Sequence, residues 1–214
     1  MFWRPYLRTG IWHIHTSYTD GCSTVAEYVE YAVETGVPLI CFSEHVRRCL
    51  TYNFREYLRD IEEARNSNLG RIIILSGCEA KVLPDGSLDA ERNILESVDV
   101  VFMAYHTFEG NFSKYLESLE KALDRYSGFN LVYAHPLLLL RKRGWLKGEY
   151  IRETLSILLE NVHWLILENN VKYNLPPKDV LDVWIDNGGE WLIGYDAHSV
   201  RELDQLYGRL KVKP

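Results

Sequence analysis

The chain has 214 residues, of which 47% are hydrophobic and 25% are charged, so it can bury the core of one globular domain. We expect a single domain over residues 1–214. The formal net charge of −6 leaves no broad basic face, which excludes tight electrostatic wrapping of nucleic acid. One nucleic-acid end held in a pocket is compatible with that charge.

The cysteines and the apolar runs bear on where the protein works. Cys22, Cys41, Cys49 and Cys78 show neither the density nor the paired spacing of a disulfide framework or a zinc ribbon. The N-terminus lacks a basic segment followed by a long apolar stretch, and no run reaches the roughly 20 apolar residues of a membrane span. We therefore expect a cytoplasmic protein with no membrane partner.

Short runs rich in Ile, Val, Leu and aromatic residues predict seven strands, and a segment with helical periodicity follows each run. The predicted strands are 11–15, 38–43, 71–78, 98–105, 129–134, 163–168 and 190–195. The predicted helices are 24–36, 54–68, 89–97, 113–126, 148–161, 177–187 and 199–208.

Capping residues agree with these boundaries. Ser23-Thr24 and Ser113 stand before two of the helices, Pro176-Pro177 open the sixth, and Gly188-Gly189 follow its end. Strands that alternate with helices predict an α/β fold with a mostly parallel sheet. Seven such units, together with the site described next, favour a TIM-like (β/α) barrel.

Six of the seven histidines fall at the carboxyl-terminal ends of predicted strands, and only His163 does not. In a (β/α) barrel these strand ends converge on one face, where the architecture places its active sites. The sequence therefore predicts one polar site. Its histidines and acids at strand ends are His13, His15, His45, Glu79, His106, His135, Asp196 and His198.

Strand alternation predicts which of these side chains share a side. His13 and His15 should point the same way, with Ile14 opposite, because neighbouring residues of a strand alternate. Asp196 and His198 should also share a side if the extended conformation continues to that point. Each pair is then placed to chelate one ion.

Imidazole and carboxylate ligands without cysteine favour Zn²⁺, Mn²⁺ or Fe²⁺ over Ca²⁺ or Mg²⁺. Nine ligands, with Asp20 included, exceed what one ion takes, so we expect two or three divalent ions. Three such ions against Asp20, Glu79 and Asp196 leave a local charge of about +3, which attracts phosphate even in an acidic protein.

As an ordered set, these residues resemble the PHP (polymerase and histidinol phosphatase) family. Residues 77–106, including 83–89, look most like the PHP domains attached to bacterial family X DNA polymerases and their stand-alone relatives. The resemblance covers about residues 11–203. It is carried by the segments 13–21, Ser43-Glu44-His45, Gly77-Cys78-Glu79, His106, His135 and Asp196-Ala197-His198.

The resemblance implies a single PHP domain with a distorted seven-stranded (β/α)7 TIM-like barrel and a trinuclear metal site. One ion would be held by His13, His15, Glu79 and Asp196. A second would share Glu79 and add His106 and His135. The third would take Asp20, His45 and His198.

Two segments depart from the family pattern. Ser43-Glu44-His45 replaces the usual Thr-Asp-His, so hydrogen bonding around His45 is expected to differ. Glu168-Asn169-Asn170 replaces the usual Glu-Ile-Asn, and for Glu168 a structural and a functional role are equally compatible with the sequence.

We expect hydrolysis of a phosphomonoester or phosphodiester by a metal-bridging hydroxide. Glu79, Asp196 and His198 are the predicted catalytic residues, with Asp196 or a liganding histidine moving a proton. The substrate would be a phosphorylated small molecule, a nucleotide or a nucleic-acid end, and the oligomeric state is left open. Predicted phosphate-binding residues are Arg47, Arg48, Lys81, Arg141, Arg143 and Lys172.

Three other functions are alternatives to the predicted phosphoesterase. A nucleic-acid end-processing nuclease or 3′-phosphatase would use the same fold and ligands. An amidohydrolase-type metal hydrolase also carries His-x-His and a late Asp, but its usual bridging lysine has no counterpart here. A non-catalytic PHP module of a nucleic-acid complex is disfavoured because all nine ligand positions are filled.

Overall fold

The computed structural model describes residues 1–211, with side chains up to Gly208. Within this range the protein is an α/β structure whose nine strands form one sheet, and every strand pair is parallel. The strands are β1 (Ile11–Ile14), β2 (Leu39–Phe42), β3 (Glu44–Val46), β4 (Ile73–Leu75), β5 (Gly77–Lys81), β6 (Val100–Ala104), β7 (Leu131–Tyr133), β8 (Ile166–Asn170) and β9 (Glu190–Ala197).

The sheet curls on itself. Its strand order is β3-β5-β6-β7-β8-β9-β1-β2-β4, yet β3 follows β2 after a single residue, Ser43. Two strands so close in the chain cannot lie at distant edges of a flat sheet, because one residue spans only about 3.3 Å. The edges therefore meet, and the sheet is TIM-like.

The predicted count of seven strands is not confirmed, because two predicted runs are each broken in the structure. Residues 38–43 and 71–78 correspond to β2/β3 and β4/β5, interrupted at Ser43 and Ser76. The register is the same on both sides of the break, with Cys41 opposite Leu75 and Glu44 opposite Cys78.

Side chains take over the hydrogen bonds where the ladder is broken. The Ser76 amide donates to the Asp99 carboxylate at 2.8 Å, and the Gly77 carbonyl accepts from the Tyr57 hydroxyl at 2.8 Å. Because these backbone groups are satisfied outside the sheet, the two strands do not pair at this step.

Eight α-helices lie in the described part of the chain, and a one-turn 3-10 helix, Arg4–Tyr6, precedes β1. They are α1 (Val25–Glu34), α2 (Phe54–Ser67), α3 (Arg92–Glu96), α4 (Phe112–Tyr126), α5 (Leu138–Lys142), α6 (Gly148–Glu160), α7 (Lys178–Asp186) and α8 (Val200–Lys211). Thr24 caps α1 through a capping box with Glu27, as the sequence indicates. None of these helices is long and apolar enough to cross a bilayer.

Three helices differ from the prediction. The predicted segment 89–97 is helical only from Arg92, because the Asp89 amide donates to the Lys81 carbonyl at 2.8 Å and belongs to a turn. The cap of α4 is Asn111, which accepts from the Lys114 amide at 3.0 Å, so this helix begins before Ser113. The short helix α5 was not predicted.

Two apolar layers flank the sheet. The outer layer contains the buried helix faces, and the inner layer is built from alternate strand residues such as Trp12, Phe102 and Leu192. Trp3 and Leu7 belong to the inner layer, and Trp3 packs edge-on against Trp12 with ring centroids 5.5 Å apart. The N-terminal segment thus closes the amino-terminal end of the strands.

Candidate metal centre

The carboxyl-terminal ends of the strands bring the predicted histidines together. The ring centroids of His15 lie 4.2 Å from those of His45 and 4.6 Å from those of His198. On the other flank, His106 and His135 are 5.0 Å apart, and His13 is 5.7 Å from His135. All six histidines that end predicted strands therefore belong to one cluster.

Glu79, at the middle of β5, lies at the centre of this cluster. Its carboxylate is fully buried and approaches ring nitrogens of four histidines within 3.4 Å. The distances are 2.8 Å to His45 Nδ1, 2.9 Å to His135 Nε2, 3.3 Å to His106 Nε2 and 3.4 Å to His13 Nε2.

The two remaining carboxylates lie on the outer side of the cluster. Asp196 Oδ1 is 3.2 Å from His15 Nε2 and 3.8 Å from His13 Nε2. Asp20 is more exposed, with oxygens 3.4 Å from His45 Nε2 and 3.5 Å from His198 Nε2. These two acids and Glu79 alternate with the imidazoles around the cluster.

Among the described residues, four overlapping groups have ligand atoms within 4.8 Å of one another. Three contain three residues each, which is enough to begin a coordination shell, and the fourth contains four. The groups are His13/His15/Asp196, His13/Glu79/His135, His45/Glu79/His106 and His15/Asp20/His45/His198.

Several buried ring and carboxylate atoms make no hydrogen bond of suitable geometry among the described residues, although Glu79 Oε2 and His15 Nε2 have close neighbours in His45 and Asp196. These atoms are His13 Nε2, His15 Nδ1 and Nε2, Glu79 Oε2 and His135 Nδ1. Buried polar atoms are rarely left without a partner, since each costs about 1–3 kcal/mol. Imidazole nitrogens and carboxylate oxygens that face one another fit divalent cations as the missing partners.

The backbone is strained where it presents these ligands. Five non-glycine residues in the described part of the chain adopt positive φ, and three of them are His13 (63°), His135 (28°) and Asp196 (48°). Such conformations cost on the order of 1–3 kcal/mol each and cluster at functional sites. The strain places the ligand side chains where a regular strand would not.

His13 shows this directly. The register of β1 shifts between Ile11 and Ile14, and both of these residues lie in the outer apolar layer while Trp12 lies in the inner one. His13 faces inward as well, with its ring 5.0 Å from that of Phe102. His13 and His15 do converge, but through a bulge and not through the simple alternation that we predicted.

The same correction applies to the end of β9. We expected Asp196 and His198 to share a side if the backbone stayed extended through Asp196. The φ of Asp196 is 48°, so the backbone is not extended there. The pairing of β1 with β9 shifts there, from Trp12 opposite Gly194 to Ile14 opposite Ala197. Asp196 and His198 still meet, since His198 Nδ1 lies 3.0 Å from the Asp196 carbonyl oxygen.

Glu168, at the middle of β8, forms hydrogen bonds with two predicted ligands, His13 and His135. Its Oε1 lies 2.7 Å from His13 Nδ1, and its Oε2 accepts the backbone amide of His135. A carboxylate on the far nitrogen fixes the ring and the tautomer of a liganding histidine. The sequence left this role undecided; the signal was an acid at the end of a run otherwise apolar from Trp164 to Leu167.

Glu44 organises the loop that carries Asp20. This buried carboxylate accepts the Thr16 amide at 2.5 Å and also the Thr19 hydroxyl. Gly21 closes the loop, because a Cβ there would lie 2.2 Å from the His15 carbonyl oxygen. The glutamate that departs from the family pattern thus holds the chain segment between His15 and Asp20.

Opposing charges set the protonation of the cluster. Burial alone raises the pKa of Glu79, but His106 and His13 lower it well below its usual value. Burial lowers the pKa of His15 to about 4. Burial also lowers the pKa of His13, yet Glu168 and Glu79 outweigh it and raise that pKa well above 6.5. A cation that binds at His13 must therefore displace a proton.

The six predicted phosphate-binding residues divide by location. Arg47 and Lys81 line a cavity of about 440 Å³ together with Asp20, His45, Glu79 and His106. Lys172 donates to the Asp196 carbonyl oxygen at 2.9 Å and pairs with Glu202 at 3.1 Å. These three residues border the cluster directly.

The other three lie further out. Arg48 donates to the Ser87 hydroxyl at 3.2 Å, and Arg141 donates to the Tyr173 carbonyl at 2.8 Å. Arg143 lines a neighbouring cavity. None of the three is among the residues that line the cavity of Glu79.

The PHP domain model matches residues 12–170, which is most of the chain. This chain belongs to the PHP domain family. The match confirms the resemblance inferred from the sequence and contains five of the six clustered histidines together with Glu79. Asp196 and His198 lie beyond the matched residues, but the structure brings both to the same cluster.

A curated relative of this PHP domain is the DNA polymerase/3′-5′ exonuclease PolX of Bacillus subtilis (strain 168). The two are 24% identical over 208 residues, which cover 91% of this chain. The chain spans about a third of that relative, 35% of its length.

Solved structures share the fold of this PHP domain. The histidinol phosphate phosphatase of Lactococcus lactis, solved with zinc, L-histidinol and phosphate, matches with a TM-score of 0.66 at 19% identity, over 94% of this chain and 93% of that one. A putative histidinol phosphatase of Listeria monocytogenes gives the same score at 15% identity, over 94% and 99%. At such identities the likeness establishes the fold.

Proposed function

We propose that this PHP domain is a metal-dependent hydrolase of phosphate esters, either phosphomonoesters or phosphodiesters. The observation that carries the proposal is the buried Glu79 carboxylate, with ring nitrogens of four histidines within 3.4 Å. A carboxylate so placed is suited to bridge metal ions, and the unpartnered buried nitrogens around it fit the same role.

A trinuclear site is part of the proposal. His13, His15, Glu79 and Asp196 would hold one ion, Glu79, His106 and His135 a second, and Asp20, His45 and His198 a third. The spatial groups support this division in part. His13, His15 and Asp196 form one group, and Asp20, His45 and His198 form another, which His15 also joins.

Divalent ions of zinc, manganese or iron would supply an activated water and neutralise phosphoryl charge. The residues of the chain would orient the liganding side chains and bind the phosphoryl group. Glu168 holds the His13 ring through Nδ1, which leaves Nε2 for an ion. Arg47 and Lys81, on the cavity wall, would bind non-bridging phosphoryl oxygens.

Asp196 or a liganding histidine would move the proton. Burial alone raises the pKa of Asp196, but His15 and His13 lower it, so the carboxylate stays ionised. A carboxylate with a lowered pKa is a weak base, so Asp196, whose Oδ1 faces His15 Nε2 at 3.2 Å, is better suited to hold an ion than to accept a proton. Lys172 supports this residue from its backbone side through the Asp196 carbonyl.

The substrate would be a phosphorylated small molecule, a nucleotide or a nucleic-acid end. The Lactococcus lactis relative was solved with L-histidinol and phosphate, and the Bacillus subtilis relative is a DNA polymerase/3′-5′ exonuclease. An end-processing nuclease is accordingly the second candidate. The family match favours both over an amidohydrolase, and the complete ligand set argues against a non-catalytic module.

Purified protein should contain bound metal and should release phosphate from a panel of phosphomonoesters, cyclic phosphates or tailed oligonucleotides with added Mn²⁺. The Glu79→Gln variant should lose metal, measured by elemental analysis, and at least 100-fold in turnover. Glu153→Gln, an exposed acid on α6, is the matched control. Folded wild-type protein with neither metal nor turnover would refute the proposal.

A further inference from the structure

A second cavity adjoins the one that contains Glu79. It has a volume of about 460 Å³ and lies between the segments 81–84 and 106–109 and the helix α5. Lys81, His106 and Thr107 line both cavities. The two cavities therefore lie next to each other, and the second cavity is within reach of a substrate bound at the metal centre.

The lining of this second cavity is apolar in depth and cationic at the rim. Val82, Phe108 and Leu139 are buried and form its apolar wall. Lys142 and Arg143 are exposed at its rim. An apolar wall suits a ring or a sugar face, and paired cations suit an anion.

Lys142 and Arg143, the two cations at the rim, have no ion-pair partner in the part of the chain that the structure describes. Within the described residues, no carboxylate oxygen lies within 4.0 Å of Lys142 or Arg143, in contrast to cations such as Arg65, which pairs with Asp99. Arg143 donates to the Phe108 carbonyl, and Lys142 Nζ lies 3.5 Å from the His106 carbonyl oxygen. The Arg143 guanidinium also lies over the Trp145 ring, 5.6 Å from its centroid. These contacts hold both side chains beside the segment 106–108, and each cation has further N–H donors that can bind a phosphate.

The balance of charge at this cavity favours an anion. Glu109 is the one carboxylate among its described lining residues, against three cations, Lys81, Lys142 and Arg143. Such an excess is unusual in a chain with a net charge of −6. Charge-assisted contacts with a phosphate are among the stronger hydrogen bonds in proteins.

We infer that the second cavity binds the leaving group of the substrate and that this leaving group carries a second phosphate. The inference rests on the proposed function, since the scissile phosphate would sit at Glu79. A volume of about 460 Å³ lies within the range of small-molecule sites and can hold a nucleoside-sized group. The second phosphate can belong to a small bisphosphate or to the next nucleotide of an oligonucleotide end.

The test compares adenosine 5′-monophosphate with adenosine 3′,5′-bisphosphate, which differ by one phosphate. The wild type should prefer the bisphosphate at least ten-fold in kcat/KM. The double variant Lys142→Ala/Arg143→Ala should lose at least ten-fold of that preference. Arg152→Ala, an exposed cation on α6 that does not line the cavity, should keep it.

An unchanged preference in the double variant, or no preference in the wild type, would overturn the inference. If the wild type hydrolyses neither compound, the panel of phosphate esters decides the proposed function, and titration calorimetry with adenosine 3′,5′-bisphosphate tests the second cavity separately. Binding at least ten-fold weaker in the double variant supports the site, and equal binding overturns it. The Lys142→Gln variant, changed at one exposed residue, covers the case of a misfolded double variant.

A 5′-phosphorylated dinucleotide distinguishes the two sources of the second phosphate. If its turnover depends on Lys142 and Arg143 as the bisphosphate's does, the site accepts oligonucleotide ends. If only the bisphosphate depends on them, the site is built for a small nucleotide. Either result supports the second-phosphate site.

Discussion

Gly194 on β9 offers a sharp test of the support behind the metal centre. A Cβ at this position would lie 1.7 Å from Glu168 Oε1 and 2.4 Å from Glu168 Cδ. Non-bonded atoms cannot approach each other so closely. The backbone of Gly194 is not in the positive-φ region, so the obstacle to alanine is steric. In Gly194→Ala, Glu168 must move.

The loss of stability in Gly194→Ala follows from the hydrogen bonds that Glu168 accepts. Overpacking a tight core site costs about 1–3 kcal/mol. Displacing the carboxylate also leaves the buried His135 amide and His13 Nδ1 without their acceptor, which costs about 1–3 kcal/mol more. We expect the free energy of unfolding to fall by about 2–6 kcal/mol, equivalent to a melting temperature lower by roughly 4–24 °C.

Denaturant unfolding in the presence of a chelator measures this loss apart from any metal contribution. Metal titration of the same variant should show an affinity lower by about 10–100-fold, because the ring of His13 is no longer oriented. Gly128→Ala is the control, since a Cβ there meets nothing within 4 Å. If Gly194→Ala were as stable and as metal-competent as Gly128→Ala, the assigned role of Glu168 would be wrong.

Three further predictions concern protons, the Asp20 loop and the ions. Glu168 raises the pKa of His13 in the folded protein. The contact between them therefore stabilises the fold fully below the unfolded-state pKa of His13, about 6.5, and this stabilisation is lost as the pH rises through the higher folded-state pKa. In metal-free protein the stability gap between wild type and Glu168→Gln should therefore shrink as the pH rises above about 6.5, and a gap that widens would contradict this. Glu44→Ala should lose one ion per chain by elemental analysis while the others remain, since the Thr16 amide and the Thr19 hydroxyl lose their acceptor. Glu44→Gln should lose less metal than Glu44→Ala, because the Thr19 hydroxyl can turn and donate elsewhere. Equal metal content in the wild type and both variants would count against this role of Glu44. Adding Zn²⁺ or Mn²⁺ at about 100 times its dissociation constant should stabilise the wild type by about 2.7 kcal/mol and leave Glu79→Gln unshifted in a melting assay.

The sequence by itself determined the chemistry of the centre and its place along the chain. Hydrophobic periodicity located the strands, and the polar residues that interrupt it at their ends, such as His45, His106 and His135, are local features that a single sequence displays. The family match then confirmed what these residues resemble. Both inferences rest on residue type and spacing, which need no knowledge of distant contacts.

The tertiary structure alone decided how those residues are presented. The bulges at His13 and Asp196 depend on pairing between β1 and β9, which are almost the whole chain apart. The break in the strands at Ser76 comes from Asp99, and the role of Glu168 comes from rings supplied by β1 and β7. Bulges, buried carboxylates and cavities are set by contacts between distant segments, and these leave no period in the sequence.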